Sequence, residues 1–194
     1  MSAPFRLALL GALLFLTAAS PQPAQEADEN AKLPLDFSKD PCGNPLMESM
    51  LWHGIEGKVA GIIDGRTILL KLSDNSQLLR VRLAGIKLSG TASSDQAARE
   101  FLTKKLLNQN VEVLVNPSKW DDTPRRPRKI TGVVKPRMTA AGLDDFSHAL
   151  LERGLVKYVE PKPYTMPAYA ACTYRRAEAE ARSKKLGLWQ WSGQ

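Results

Sequence analysis

Arginine is the side chain whose placement in this sequence most invites chemistry. In QLLRVRLAGI, residues 77–86, Leu79, Val81 and Leu83 alternate with Arg80 and Arg82. Alternation of period two puts the aliphatic groups on one face of a strand and both guanidinium groups on the other. Further on, PRRPRK at 124–129 gathers Arg125, Arg126, Arg128 and Lys129, and no acid falls between Arg125 and Arg137. Guanidinium forks match phosphate oxygens two at a time. Arg125, Arg126 and Lys129 are therefore a candidate nucleic-acid patch, with Lys135 and Arg137 beyond them. A merely solvated basic loop is the plainer alternative, and Trp120 is the one aromatic close in sequence on which a base could stack.

Other chemistries are thinly supplied. The two histidines, His53 and His148, have no cysteine or histidine at zinc-ligand spacing. No Ser-His-Asp elbow and no Gly-rich phosphate loop occurs. Trp189 and Trp191 are expected to pack the last helix onto the body.

The chain opens on Arg6 and an uncharged apolar run, Leu7 to Ala19, followed by Ser20 and the polar stretch PQPAQEADEN. That order of charge, apolar run and small residues reads as a secretory signal peptide cleaved near Ala19, the alternative being an uncleaved anchor. The run is short of the roughly 20 residues that a membrane-crossing helix needs. The reading is therefore a signal peptide over 1–19, an acidic, Pro-containing leader over 20–50 and one domain over 51–191. It places the protein in the periplasm or outside the cell, with no stable membrane span after cleavage. Export gives Cys42 and Cys172 a meaning, since an even count in an oxidising compartment favours a disulfide; two unpaired thiols are the alternative.

Charge follows the same division. Residues 51–194 carry 24 Lys and Arg against 14 Asp and Glu, whereas residues 21–50 are net acidic. A basic body invites an anionic partner such as nucleic acid or another polyanion.

Elements must hold the arginines in place. Segments 54–63 and 66–72 flank the turn Asp64-Gly65, and SDNS at 73–76 leads into the strand that carries Arg80 and Arg82. A helix follows, with Ser93 and Gln96 in capping-box spacing and Ala97, Phe101, Leu102 and Leu106 as its apolar stripe. Strands are expected over 110–116 and 129–135, with a polar loop from Pro117 to Pro127. Helices are expected over about 143–153, ended by Gly154, and about 169–185, ended by Gly187. Five strands and three helices predict an α+β chain, mainly a β barrel: an OB-fold, or five-stranded Greek-key barrel, dressed by three helices.

Three segments in order carry a resemblance: GKVAGIIDGRTILLKL at 57–72, VRLAGIKLSG at 81–90 and EAEARSKKLGLW at 178–189. They resemble the first hairpin, the third strand with its active-site turn, and the closing helix of the staphylococcal nuclease, or thermonuclease-like, family. The resemblance implies an OB-fold and calcium-assisted phosphodiester hydrolysis, with two aspartates on the metal, a glutamate assisting water and two arginines on the phosphate. Transferred to this chain, the phosphate arginines fall on Arg82 and on Arg128, or alternatively Arg126. The metal aspartates fall on Arg66 and Lys87, the glutamate on Gly90, and the proline before it on Ser89.

Those departures replace three carboxylates by two cations and a glycine. Calcium wants six to eight oxygen ligands, and Gly90 has no side chain to take a proton. Catalytic residues are therefore not assigned, and no metal or other cofactor is expected. What is expected is an anion pocket of Arg82, Arg128, Arg66 and Lys87. Two alternatives stand beside this degenerate, anion-binding domain. One is a protein-interaction scaffold with a protein partner. The other is an active nuclease with an altered metal site, for which Asp64, Asp95, Asp121 and Asp122 are the nearest acids.

Overall fold

The computed structural model describes residues 40–44, 51–74, 77–119, 129–137, 144–162 and 165–190. Its strands are β1 (His53–Asp64), β2 (Thr67–Leu72), β3 (Leu78–Leu83), β4 (Ile86–Lys87), β5 (Asn110–Val115), β6 (Lys129–Pro136) and β7 (Lys157–Tyr158). Its helices are α1 (Ala92–Leu106), α2 (Phe146–Glu152) and α3 (Ala168–Ser183). Short 3-10 turns lie at Pro117–Lys119 and Gly187–Trp189.

Five strands close into a barrel in the order β1-β2-β3-β6-β5, with β5 returning to pair with β1. All neighbours are antiparallel except β3 and β6, which run parallel. The expected OB-fold barrel with three helices is thus present. The alternation in β3 is realised: Leu79, Val81 and Leu83 are buried, Arg80 is exposed and Arg82 half-buried. With Val59, Ile68, Leu70, Val113 and Val134 they form the barrel interior, whose burial drives the closure.

Not anticipated is a second, two-stranded sheet of β4 and β7. Two residues per strand are too few for a periodic signal, and tertiary contacts supply what the local sequence lacks. Glu178 of α3, itself buried, accepts a hydrogen bond from the Tyr158 amide at 2.9 Å and pairs with Arg182 at 3.1 Å. Arg182 in turn lies over the Trp189 ring, 4.1 Å from its centroid, so Trp189 does close the last helix; Trp191 lies outside the described residues.

Two expectations on α1 need correction. The Ser93–Gln96 capping box does not form: the N-cap is Thr91, and Gln96 instead donates to Glu100 at 2.8 Å. The fully buried stripe is Ala98, Leu102 and Leu106, with Phe101 and Ala97 only partly covered. Starting the helix two residues earlier places Ser93 inside the first turn, which is why its cap role is lost.

Asp145 caps α2 through the His148 amide at 2.9 Å and receives the buried Tyr174 hydroxyl at 2.5 Å. Burial, with the Asp145 charge beside it, pushes the Tyr174 phenol well above its ordinary value. Cys42 and Cys172 are joined by a disulfide with a Cα–Cα distance of 5.6 Å.

Candidate anion-binding site

The site begins at the β1–β2 turn. Asp64 accepts the Arg66 amide N–H on its Oδ1 at 2.8 Å, the local bond by which aspartate shapes turns. Gly65 is pressed into its surroundings: a Cβ there would stand 2.7 Å from the Ala98 Cβ of α1 and 2.9 Å from Leu88 Cδ2. The turn carrying Arg66 is therefore held between α1 and the loop after β4.

Backbone pairing then brings two arginines together. Thr67 stands opposite Arg82 in the β2–β3 register, and the Arg66 carbonyl accepts the Leu83 amide N–H at 2.8 Å. Both side chains are half-buried, and the Nε atom of each is buried with no hydrogen-bond partner among the described residues. A buried donor left unmet costs about 1–3 kcal/mol, more when charged. Such donors are what an anion's oxygens would satisfy, and the two arginines are joined here through adjacent backbone positions.

Lys87 is exposed on β4, directly opposite Lys157 of β7. Two cations across a strand pair repel, and the pair adds positive potential to the loop that abuts the Arg66 turn. Gly90 adopts φ +84°, with nothing within 4 Å of a Cβ built there. The intervening loop is tied down by Asp95, whose Oδ1 accepts both the amide and the hydroxyl of Ser89 at 3.1 Å. Ser89 Oγ also lies 2.9 Å from Thr91 Oγ1.

These residues do not fit calcium. Arg66, Lys87 and Gly90 offer it no side-chain oxygen, and two of them repel it. Asp64 and Asp95, the described acids nearest to hand, each use one oxygen to fix a loop. Among the described residues no group of three or more His, Cys, Asp or Glu is placed to hold a metal ion.

A family model described as staphylococcal nuclease homologue matches residues 80–191, more than half of the chain. The chain belongs to the staphylococcal nuclease homologue family. This is a family of nucleases and nucleic-acid-binding proteins. Its matched region opens on Arg80 in β3, while β1 and β2, which complete this nuclease-homologue barrel, lie upstream. No curated protein matches the chain.

The remaining sequence candidates divide. Arg125, Arg126 and Arg128 lie outside the described residues, as do Trp120, Asp121 and Asp122. Lys129 opens β6, exposed, in register with Arg80. Lys135 and Arg137 leave the basic run: Lys135 is buried against Glu112 at 2.6 Å, and Arg137 meets Glu56 at 2.9 Å. His148 lies 3.7 Å from Glu152, one turn on along α2, and His53 opens β1 opposite Val115.

Sequence reasoning missed the anchoring of the segment around Cys42. Asp40 accepts the Cys42 amide at 2.8 Å and the Tyr169 hydroxyl at 3.0 Å, with Arg176 3.6 Å away. The Cys42 amide above all, with Tyr169 and Arg176, holds the Asp40 carboxyl below its usual range. Burial, then Asp40, pushes the Tyr169 phenol up to about 12. Only the cysteine count hinted at this clamp. No described helix is long and apolar enough to cross a membrane.

Proposed function

We propose that this nuclease-homologue domain binds nucleic acid through a metal-free arginine pocket and does not hydrolyse it. The observation that carries the reading is the pair of buried, unmet Nε donors on Arg66 and Arg82, at positions where the family resemblance places a metal ligand and a phosphate ligand. A guanidinium in place of a calcium-binding carboxylate trades a bridging metal for a direct ligand to phosphate. Lys87 adds positive charge at the neighbouring loop, and Arg128 belongs to the same set by resemblance. Hydrolysis needs a group to take the proton of the attacking water, and Gly90 provides none.

The signal peptide over 1–19, the leader over 20–50 and the domain over 51–191 complete the proposal as an exported protein. An intramolecular disulfide suits an oxidising compartment. The deciding experiment measures binding of a nucleoside monophosphate and of a single-stranded oligonucleotide to the protein and to Arg82→Ala. Loss of both in the variant supports the pocket. Unchanged binding contradicts it, and absence of binding by the unmodified protein favours the scaffold.

A further inference from the structure

The outer face of β2, β3 and β6 extends the pocket in one direction. Two residues along β3 from Arg82, on the same face, stands Arg80, about 6.6 Å away along the strand. Arg80 is exposed, and the parallel register sets it beside the exposed Lys129 of β6. Arg82 has Thr131 beside it in the same register. Neither Arg80 nor Lys129 has a carboxylate partner among the described residues. Like charges in neighbouring registers repel, and an anion between them reverses the sign of that interaction.

Beside its charges the same face carries two leucines, with the exposed Lys71 opposite the second of them, Leu78. Leu69 of β2 is in register with Arg80, and Leu78, two residues before Arg80, is 50% exposed. A ligand that fits this surface carries anions at a regular interval and presents apolar planes beside them. A sulfated glycan lacks the planes, and a duplex turns its bases inward.

We infer that Arg80 and Lys129 form a second phosphate position, so that an extended single-stranded nucleic acid runs along β3 with successive phosphates at Arg82 and at the Arg80–Lys129 pair. Leu78 and Leu69 lie under the bases beside that second phosphate. This rests on the nucleic-acid reading above and adds the polarity-free track, the number of phosphates held and the strandedness.

The test compares the unmodified protein with Arg80→Ala/Lys129→Ala and with Arg82→Ala. Lys104→Ala/Lys105→Ala, on the exposed end of α1, removes the same charge elsewhere. The probes are thymidine monophosphate and a labelled oligothymidylate, the latter titrated over a range of salt. The expected result is that Arg80→Ala/Lys129→Ala weakens the oligonucleotide about tenfold or more and flattens the log K against log salt slope by about 0.7, the share of one single-strand phosphate contact. Thymidine monophosphate binding stays within about twofold in that variant, whereas Arg82→Ala weakens both probes.

An oligonucleotide slope and affinity equal to those of the Lys104→Ala/Lys105→Ala control overturn the track while leaving the Arg82 pocket standing. Equal binding of heparin and oligothymidylate, both lost in the Arg80 variant, overturns the assignment to nucleic acid. Failure of the unmodified protein to bind either probe contradicts the parent reading and the track with it.

Discussion

Arg66 in the β1–β2 turn accepts, on its carbonyl, the amide of Leu83 next to Arg82 on β3, and each arginine buries an Nε–H that meets no acceptor among the described residues. Phosphate should therefore stabilise the folded protein. A ligand that binds only the native state adds about 2.7 kcal/mol at a hundredfold excess over its dissociation constant. The expected outcome is a melting temperature that rises with phosphate or nucleoside monophosphate in the unmodified protein and is flat in Arg66→Ala/Arg82→Ala. Thermal scans at fixed ionic strength check it.

Calcium should do nothing. With Arg66, Lys87 and Gly90 where carboxylates would be needed, millimolar calcium is expected neither to raise the melting temperature nor to change oligonucleotide affinity. Calorimetry with calcium and with chelator measures both, and a saturable calcium-dependent heat would point to ligands among other acids.

The barrel was readable from sequence because strand alternation and turn residues act locally. Leu79, Val81 and Leu83 announce one buried face, and Asp64-Gly65 announces the turn between β1 and β2. What the sequence did not announce depends on distant partners. β4 and β7 are strands because Glu178 of α3 receives the Tyr158 amide, and Lys129 matters beside Arg80 because β6 runs parallel to β3. The site followed the same division: Arg66, Arg82, Lys87 and Gly90 were identifiable by resemblance, whereas the unmet Nε donors exist only in the folded packing. Asp64 shapes its turn as its place before glycine implies, whereas the tie from Asp95 to Ser89 exists only in the folded loop.

Two glycines of positive φ should respond differently to alanine. At Gly85, φ +70°, a Cβ would meet Tyr174 Cδ2 at 2.8 Å and Met166 Sδ at 2.9 Å. Backbone strain and overpacking together predict a loss of roughly 2–5 kcal/mol. At Gly90, φ +84°, the space is open, and only the backbone cost of about 1–2 kcal/mol remains. Denaturant unfolding of the two variants should show that order; equal losses would contradict the packing at Gly85.

The disulfide and its neighbours predict two further behaviours. Replacing Cys42 and Cys172 by serine frees a loop of 130 residues and should cost about 4–5 kcal/mol in the chain-entropy account. Its effect on denaturation midpoint tests this.

Tyr169 sets an alkaline limit. Its phenol ionises near 10 when unfolded and at about 12 when folded. The native state thus holds the proton more tightly, and stability is complete below pH 10 and falls between 10 and 12. Tyr169→Phe should remove that slope and the tyrosinate absorbance rise near pH 12, as a spectrophotometric titration would show.

The most direct test of a metal-free, non-hydrolytic binding pocket is one titration into a fluorescent single-stranded oligonucleotide, run with calcium and with chelator. Anisotropy reads binding, and a gel of the same samples reads cleavage. The account predicts salt-sensitive binding, identical in both conditions, with the oligonucleotide intact. Calcium-dependent cleavage would contradict it.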